Sequence, residues 1–285
     1  MARKVDLPAS IQDIPVLPGD GNPSTRATVY LLPLLPVALA LILLALLSRP
    51  ARLGASQTAF GPGESLVYQI HYGPVPTGTA RILVGSEAPG ADTRIWPIVV
   101  QARTSEGVSR VFEVRDRFVT LWDPVEARSH GFDFLAREGG EQRFTRARLD
   151  PESGRAVVHE RRESGSRTRT VDVGPTSHDL ASAIFWLRGR PLLPGDKEAV
   201  RIFTGAKAWS LRTVVEGRER LSTSLGEREA VRVRFETQFR GKLAARRQIL
   251  VWFTDDAAHV PVQIQAELVL GSLRAELASY FPGLR

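Results

Sequence analysis

The sequence predicts a mainly β fold: an antiparallel curved sheet or partly closed barrel carrying one packed helix, preceded by a single transmembrane helix. Three observations lead there. Beyond Gly61, apolar residues alternate with polar ones over short runs, the period of a half-buried strand. Glycine and proline punctuate those runs at Pro124, Gly131, Gly139-Gly140 and Gly154, the spacing of an antiparallel meander. Upstream of all of them, the stretch 27–48 carries no charge.

In chain order, residues 1–26 are rich in Pro, Asp and Gly with no sustained period, and read as a flexible cytoplasmic tail. The stretch 27–48 follows. At about 1.5 Å per residue it reaches roughly 33 Å as a helix, enough to cross a hydrocarbon core of about 30 Å. Pro33 and Pro36 fit the first helical turn, where a missing N–H costs nothing. If the helix starts at Pro36, it is only as long as the apolar core of a cleaved leader, which would leave a soluble periplasmic protein. The long tail ahead of it and the poor cleavage site Leu53-Gly54-Ala55 favour a retained signal-anchor. Arg3, Lys4 and Arg26 on one side nearly balance Arg49 and Arg52 on the other, so orientation rests on the long C-terminal part. The expectation is a single-pass inner-membrane protein: tail 1–26, anchor 27–48, linker 49–60 and a periplasmic β-rich domain 61–285.

Within that domain, Leu66, Tyr68, Ile70 and Tyr72 define one face of a first strand, with Gln69 and His71 opposite. The run 95–102 is a second candidate. The run 111–122 is a third, with Phe112, Val114, Phe118 and Thr120 on one side. Later, Val231, Val233 and Phe235 alternate with Arg232, Arg234 and Glu236, and Leu250, Trp252 and the run 260–270 continue the pattern. One segment has helical spacing instead: Leu180, Ile184 and Leu187 after Thr176-Ser-His-Asp179, with Thr176 and Asp179 resembling a capping box. Gly189 and Pro191 end it. This helix should lay an apolar stripe on the sheet and divide the domain into two strand-rich halves.

Composition excludes several chemistries. The chain has no cysteine, so disulfides, thiolate metal sites, a cysteine nucleophile and a lipidated-cysteine anchor are impossible. The net charge of +7 comes mostly from arginine, but basic residues alternate with acids, as in Arg161-Arg162-Glu163. That reads as solvated surface, and nucleic acid is not an expected partner. The five histidines, His71, His130, His159, His178 and His259, have no metal-ligand spacing. No cofactor or metal is expected. Asp255-Asp256 reads as a turn after a strand, and Trp96, Trp122, Trp186, Trp209 and Trp252 read as core that could also line an apolar cavity.

The residues from Gly63 to Leu277 resemble the bacterial domain-of-unknown-function family DUF3108. The resemblance lies in Gly63-Glu64-Ser-Leu-Val-Tyr68 with Tyr72-Gly73 and Gly78, Asp179-Leu180 with Leu187-Arg188, and Pro194-Gly195-Asp196. Val251-Trp252, Asp255, Pro261-Val262 and Gly271 complete it. The family implies an exported, envelope-associated, β-rich protein and supplies no catalytic residues. Asp179, Arg188, Gly195, Trp252, Asp255 and Pro261 enter as motif positions whose roles can be structural.

Three functions fit these readings. The first is a non-enzymatic envelope protein whose sheet holds a lipid, a glycan or a protein partner. The second is an assembly subunit of an envelope complex. The third is a hydrolase whose site, from His71, His159 or Asp255, forms only in the fold.

Overall fold

The computed structural model describes residues 59–87, 94–223, 225–237, 248–268 and 271–284. The tail, the predicted membrane segment 27–48 and most of the linker lie outside them. Among the described residues, no helix is long and apolar enough to cross a membrane. Ala59 and Phe60, expected in the linker, are buried in the core, so packed structure begins before Gly61.

Fourteen strands make one antiparallel sheet. The first meander comprises β1 (Ser65–Tyr72), β2 (Val75–Val84), β3 (Trp96–Thr104), β4 (Arg115–Asp123), β5 (Arg128–Glu138), β6 (Glu141–Asp150), β7 (Arg155–Arg162) and β8 (Gly165–Asp172). The second comprises β9 (Lys197–Phe203), β10 (Ala208–Thr223), β11 (Gly226–Thr237), β12 (Gln248–Thr254), β13 (Pro261–Glu267) and β14 (Ser272–Phe281). Within each, sequence neighbours are sheet neighbours. Pairing of β1 with β14, Leu66 opposite Tyr280 and Ile70 opposite Ala275, joins the meanders into one sheet.

The sheet does not close, because β8 and β9 end the hydrogen-bonded order. The connection between them spans the gap. Its His178 amide donates to the Arg201 carbonyl at 3.0 Å and its carbonyl accepts from the Phe203 amide at 2.8 Å, a single parallel bridge on the edge of β9.

The central helix (Leu180–Arg188) packs against β3, β4, β5 and β9. Its start corrects the sequence reading. Asp179 is the N-cap, its Oδ1 accepting from the amides of Ala181 and Ser182 at 3.0 and 2.9 Å, while Ser182 Oγ accepts from the Asp179 amide. The capping box is Asp179 with Ser182, because the backbone of His178 is already committed to β9 and cannot begin a helix. All nine helical residues are buried, Ser182 and Arg188 included. A sheet this wide curls round more space than strand side chains fill, so the helix is enclosed rather than laid on a surface by one stripe.

Two strand readings also change. The run 111–122 is not one strand: Glu106–Ser109 forms a helical turn and β4 begins at Arg115. Phe112 instead packs beneath the β5–β6 turn, where a Cβ on Gly139 would come within 2.7 Å of its ring. On β12 the inner positions are Ile249, Val251 and Phe253, which oppose Ala266, Ile264 and Pro261, so Leu250 and Trp252 face outward. Trp252 is nevertheless buried, its Nε1 donating to Glu219 at 2.5 Å.

Candidate functional site

The residues singled out in the sequence fall into structural settings. Arg188, the last residue of the helix, forms a bidentate ion pair with Glu64 at 2.6 and 2.7 Å, and both side chains are 0% exposed. Its Nε donates to the Ala258 carbonyl at 3.1 Å, and the rings of Phe60 and Phe185 lie 5.1 and 5.2 Å from the guanidinium carbon. Tyr280 adds a hydroxyl contact to Glu64 at 3.2 Å. One ion pair thus ties the start of β1, the helix, the β12–β13 turn and β14 together. With its hydrogen-bond capacity used internally, it has nothing left to offer a ligand.

Burial pushes the Asp179 carboxyl up, against the opposing pull of its helix-capping bonds. Gly195 takes φ +94° in the turn leading to β9, a backbone state glycine reaches without strain. Asp255 pairs with Arg218 at 2.5 Å, and Asp256 Oδ1 accepts from the amides of Ala258 and His259, so the pair forms a turn as its spacing suggested. Pro261 offers its carbonyl to the buried Tyr68 hydroxyl at 2.8 Å.

The hydrolase candidates do not converge. His71 faces outward on β1 beside Glu276, His159 faces outward on β7 against Thr168, and Asp255 sits in the β12–β13 turn. His178 is the buried histidine. Burial, aided by the charge of Arg190, pushes it down to about 3, so its ring stays neutral between Trp122 and Trp186.

What the structure does bring together is a group of arginines that the sequence reading assigned to solvated surface. Ala156 and Val158 on β7 are buried core residues, so by strand period Glu160 and Arg162 point to the same inner face. Register places Arg143 of β6 opposite Arg162, and Arg167 of β8 opposite Glu160, with Arg169 next along opposite Val158. Glu160 accepts from Arg162 at 2.6 Å, Arg167 at 3.1 Å and Arg169 at 3.4 Å. Its carboxylate is 8% exposed, while the Arg167 side chain is 65% exposed. Burial alone would raise Glu160, but the hydrogen bonds and charges of Arg162 and Arg167 prevail and pull it down to about 2.

Two features shape the place. The β9–β10 turn leans over this face: Arg169 donates to the Gly205 carbonyl at 2.6 Å, and a Cβ on Gly205 would meet Thr145 and Phe132 at 3.2 and 3.4 Å. Beside it lies an aromatic floor, Phe118 stacked on Phe132 at 5.0 Å and tilted against Phe134 at 5.7 Å, with Arg143 over the Phe134 ring. On the adjoining strands Asp116 takes an amide bond from Arg137 at 3.0 Å. Burial, reinforced by Glu138, raises the Asp116 carboxyl to about 8. The signal for this site was the alternation itself, since Val158, Glu160 and Arg162 share one face of one strand. Read locally, that charge resembles any exposed hairpin.

Fold and site define a β-barrel-like domain built from one curled antiparallel sheet. The chain belongs to the family described as protein of unknown function DUF3108, whose profile matches residues 67–278. Among solved structures it is similar to a β-barrel-like protein of domain of unknown function DUF1849 from Brucella abortus. That likeness has 11% identity and a TM-score of 0.55, and covers 79% of this chain and 99% of that one. A protein of YmcC-like fold from Bacteroides fragilis, described as exported, aligns at 10% identity and a TM-score of 0.30 over 78% of this chain and 98% of that one. At such identities the first likeness shows the fold alone, and the second carries no argument. No curated protein matches the sequence.

Proposed function

We propose that this chain is a non-enzymatic binding protein of the bacterial cell envelope. The uncharged segment 27–48 holds or delivers the domain outside the cytoplasm, and the inner face of the curled sheet holds a lipid or glycan ligand. One observation carries the binding reading: on β7 and β8, inner positions that elsewhere hold core side chains hold arginines, three of them gathered on a single carboxylate and two of these, Arg162 and Arg167, open to solvent. A sheet stabilised only by its core has no use for cations on its inner face, whereas a ligand site needs a few placed polar groups beside an apolar floor. The separation of His71, His159 and Asp255 gives the hydrolase reading no support.

The test is mass spectrometry of the full chain extracted from native membranes in mild detergent. A lipid or glycan enriched over the bulk membrane, and depleted from an Arg162→Ala/Arg167→Ala variant, is the expected result. A ligand-free protein under the same extraction overturns the reading. Fractionation of cells, with protease applied to spheroplasts, checks the placement: the β domain should be degraded from outside while cytoplasmic markers survive.

A further inference from the structure

We infer that the arginine cluster on β7 and β8 is a phosphoryl-binding site, a more specific claim that rests on the binding reading above. The argument starts from charge. Arg162, Arg167 and Arg169 all pair with Glu160, and among the described residues no other carboxylate lies in salt-bridge range of them. Three cations on one anion leave two positive charges unmatched. A phosphomonoester carries about −1.5 to −2 at neutral pH and presents three acceptor oxygens, so it matches both the charge and the donor number. A single carboxylate balances only half the excess, and Glu160 already supplies one.

Geometry supports the same class. A guanidinium has five N–H donors in a planar fork. Among the described residues, Arg162 and Arg167 each show one bond to Glu160 and no other, leaving the rest of each fork for an incoming oxyanion. Arg169 is held in place by Gly205 as well as by Glu160, so part of the site is preorganised before any ligand arrives. Glu160, anchored on the floor, spaces the three guanidinium groups and keeps their mutual repulsion tolerable in the empty site. The neighbouring rings of Phe118, Phe132 and Phe134 offer apolar contact to whatever the phosphoryl group is attached to.

The chemistry leaves two sources open, a soluble phosphomonoester or the headgroup of a phosphomonoester lipid. The experiment uses the full chain in phosphatidylcholine nanodiscs. Inorganic phosphate is titrated and followed by 31P line broadening, and glycerol 3-phosphate and dihexanoyl phosphatidate then serve as competitors. Saturable phosphate binding is expected, weakened roughly tenfold or more in Arg162→Ala/Arg167→Ala. Arg81→Ala, which removes an exposed arginine from the outer face of β2, should leave it unchanged. Glu160→Gln removes the resident competing charge and should tighten phosphate by roughly threefold to tenfold, a gain that a purely structural cluster would not give. Unchanged circular dichroism shows that each variant is folded.

Stronger competition by dihexanoyl phosphatidate than by glycerol 3-phosphate supports a lipid source, and equal competition supports a soluble one; either sustains the proposal. Phosphate binding that is absent, unsaturable or equally weakened by Arg81→Ala overturns it. If native extraction yields a bound neutral glycan while phosphate fails to bind, the binding-protein reading stands and the phosphoryl assignment falls.

Discussion

Val231, Val233 and Phe235 on β11 and Ala156, Val158 and Glu160 on β7 occupy equivalent places, successive inner-facing positions of strands in one sheet. On β11 the row is apolar to the end. On β7 it turns from valine to a carboxylate ringed by arginines within a single residue pair. The difference lies toward the end of β7 and along β8, where the Arg162 and Arg167 side chains are largely in solvent although Ala156 and Val158 are fully buried. Where inner positions are shielded from water, burying apolar area stabilises the fold by about 25 cal/mol per Å². Where the same face meets water, at Arg162 and Arg167, charge is tolerated. One sheet thus contains a sealed half, apolar on its inner face, and an open half whose inner face ends in solvent-exposed arginines.

The comparison breaks most sharply at the Glu64–Arg188 pair, which belongs to the sealed half. Replacing Arg188 by Met leaves the Glu64 charge buried without a cation, so urea unfolding should show a loss of about 3–5 kcal/mol. A loss below about 1 kcal/mol would mean that water reaches this carboxylate, and the sealed half is not sealed. Phe203→Ala, which removes a fully buried ring packed against Phe132, should cost about 3–5 kcal/mol by the same measurement, at the lower end if β9 relaxes into the cavity.

Asp116 tests the boundary between the halves. Its carboxyl is raised by burial and by Glu138, so the folded chain keeps a proton that the unfolded chain releases near pH 4. Its contribution to stability is therefore full below that pH and is lost as the pH rises through about 8. Thermal midpoints should decline over this window in the parent chain and flatten in Asp116→Asn, which is neutral throughout.

Glu160 behaves in the opposite sense. Its carboxyl is depressed, so its contribution is present above the unfolded value near pH 4 and is lost as the pH falls toward about 2. Glu160→Gln should cost about 1–3 kcal/mol at neutral pH, and the difference from the parent should vanish in acid. Arg167→Ala sits at the bottom of the scale. With its side chain largely in solvent it should change stability by no more than about 1 kcal/mol.

Much of the sealed half was legible. The alternation of Leu66, Tyr68 and Ile70 and of Val231, Val233 and Phe235 names their inner faces correctly, because strand period is a local property. The helix was legible in extent and in Asp179, but its capping partner was not, since that depended on His178 bonding to β9. Arg188 stood out only as a motif residue. Its partner Glu64 lies 124 positions away, and no local pattern pairs them. In the open half the exposure of Arg161-Arg162-Glu163 was legible, but not which carboxylate the arginines share. The pairing of Arg162, Arg167 and Arg169 with Glu160 depends on the registry of β7 and β8, which no local pattern reveals.

The sequence by itself determined the class of fold, the division into two strand-rich halves around one helix, and an uncharged segment ahead of them. These follow from period, punctuation and composition, each readable within a few residues. Tertiary structure alone decided that the sheet is left open between β8 and β9, that the helix is buried along its whole length, and that three arginines of β7 and β8 share one carboxylate. Those outcomes depend on pairings between residues far apart in the chain, above all β1 with β14.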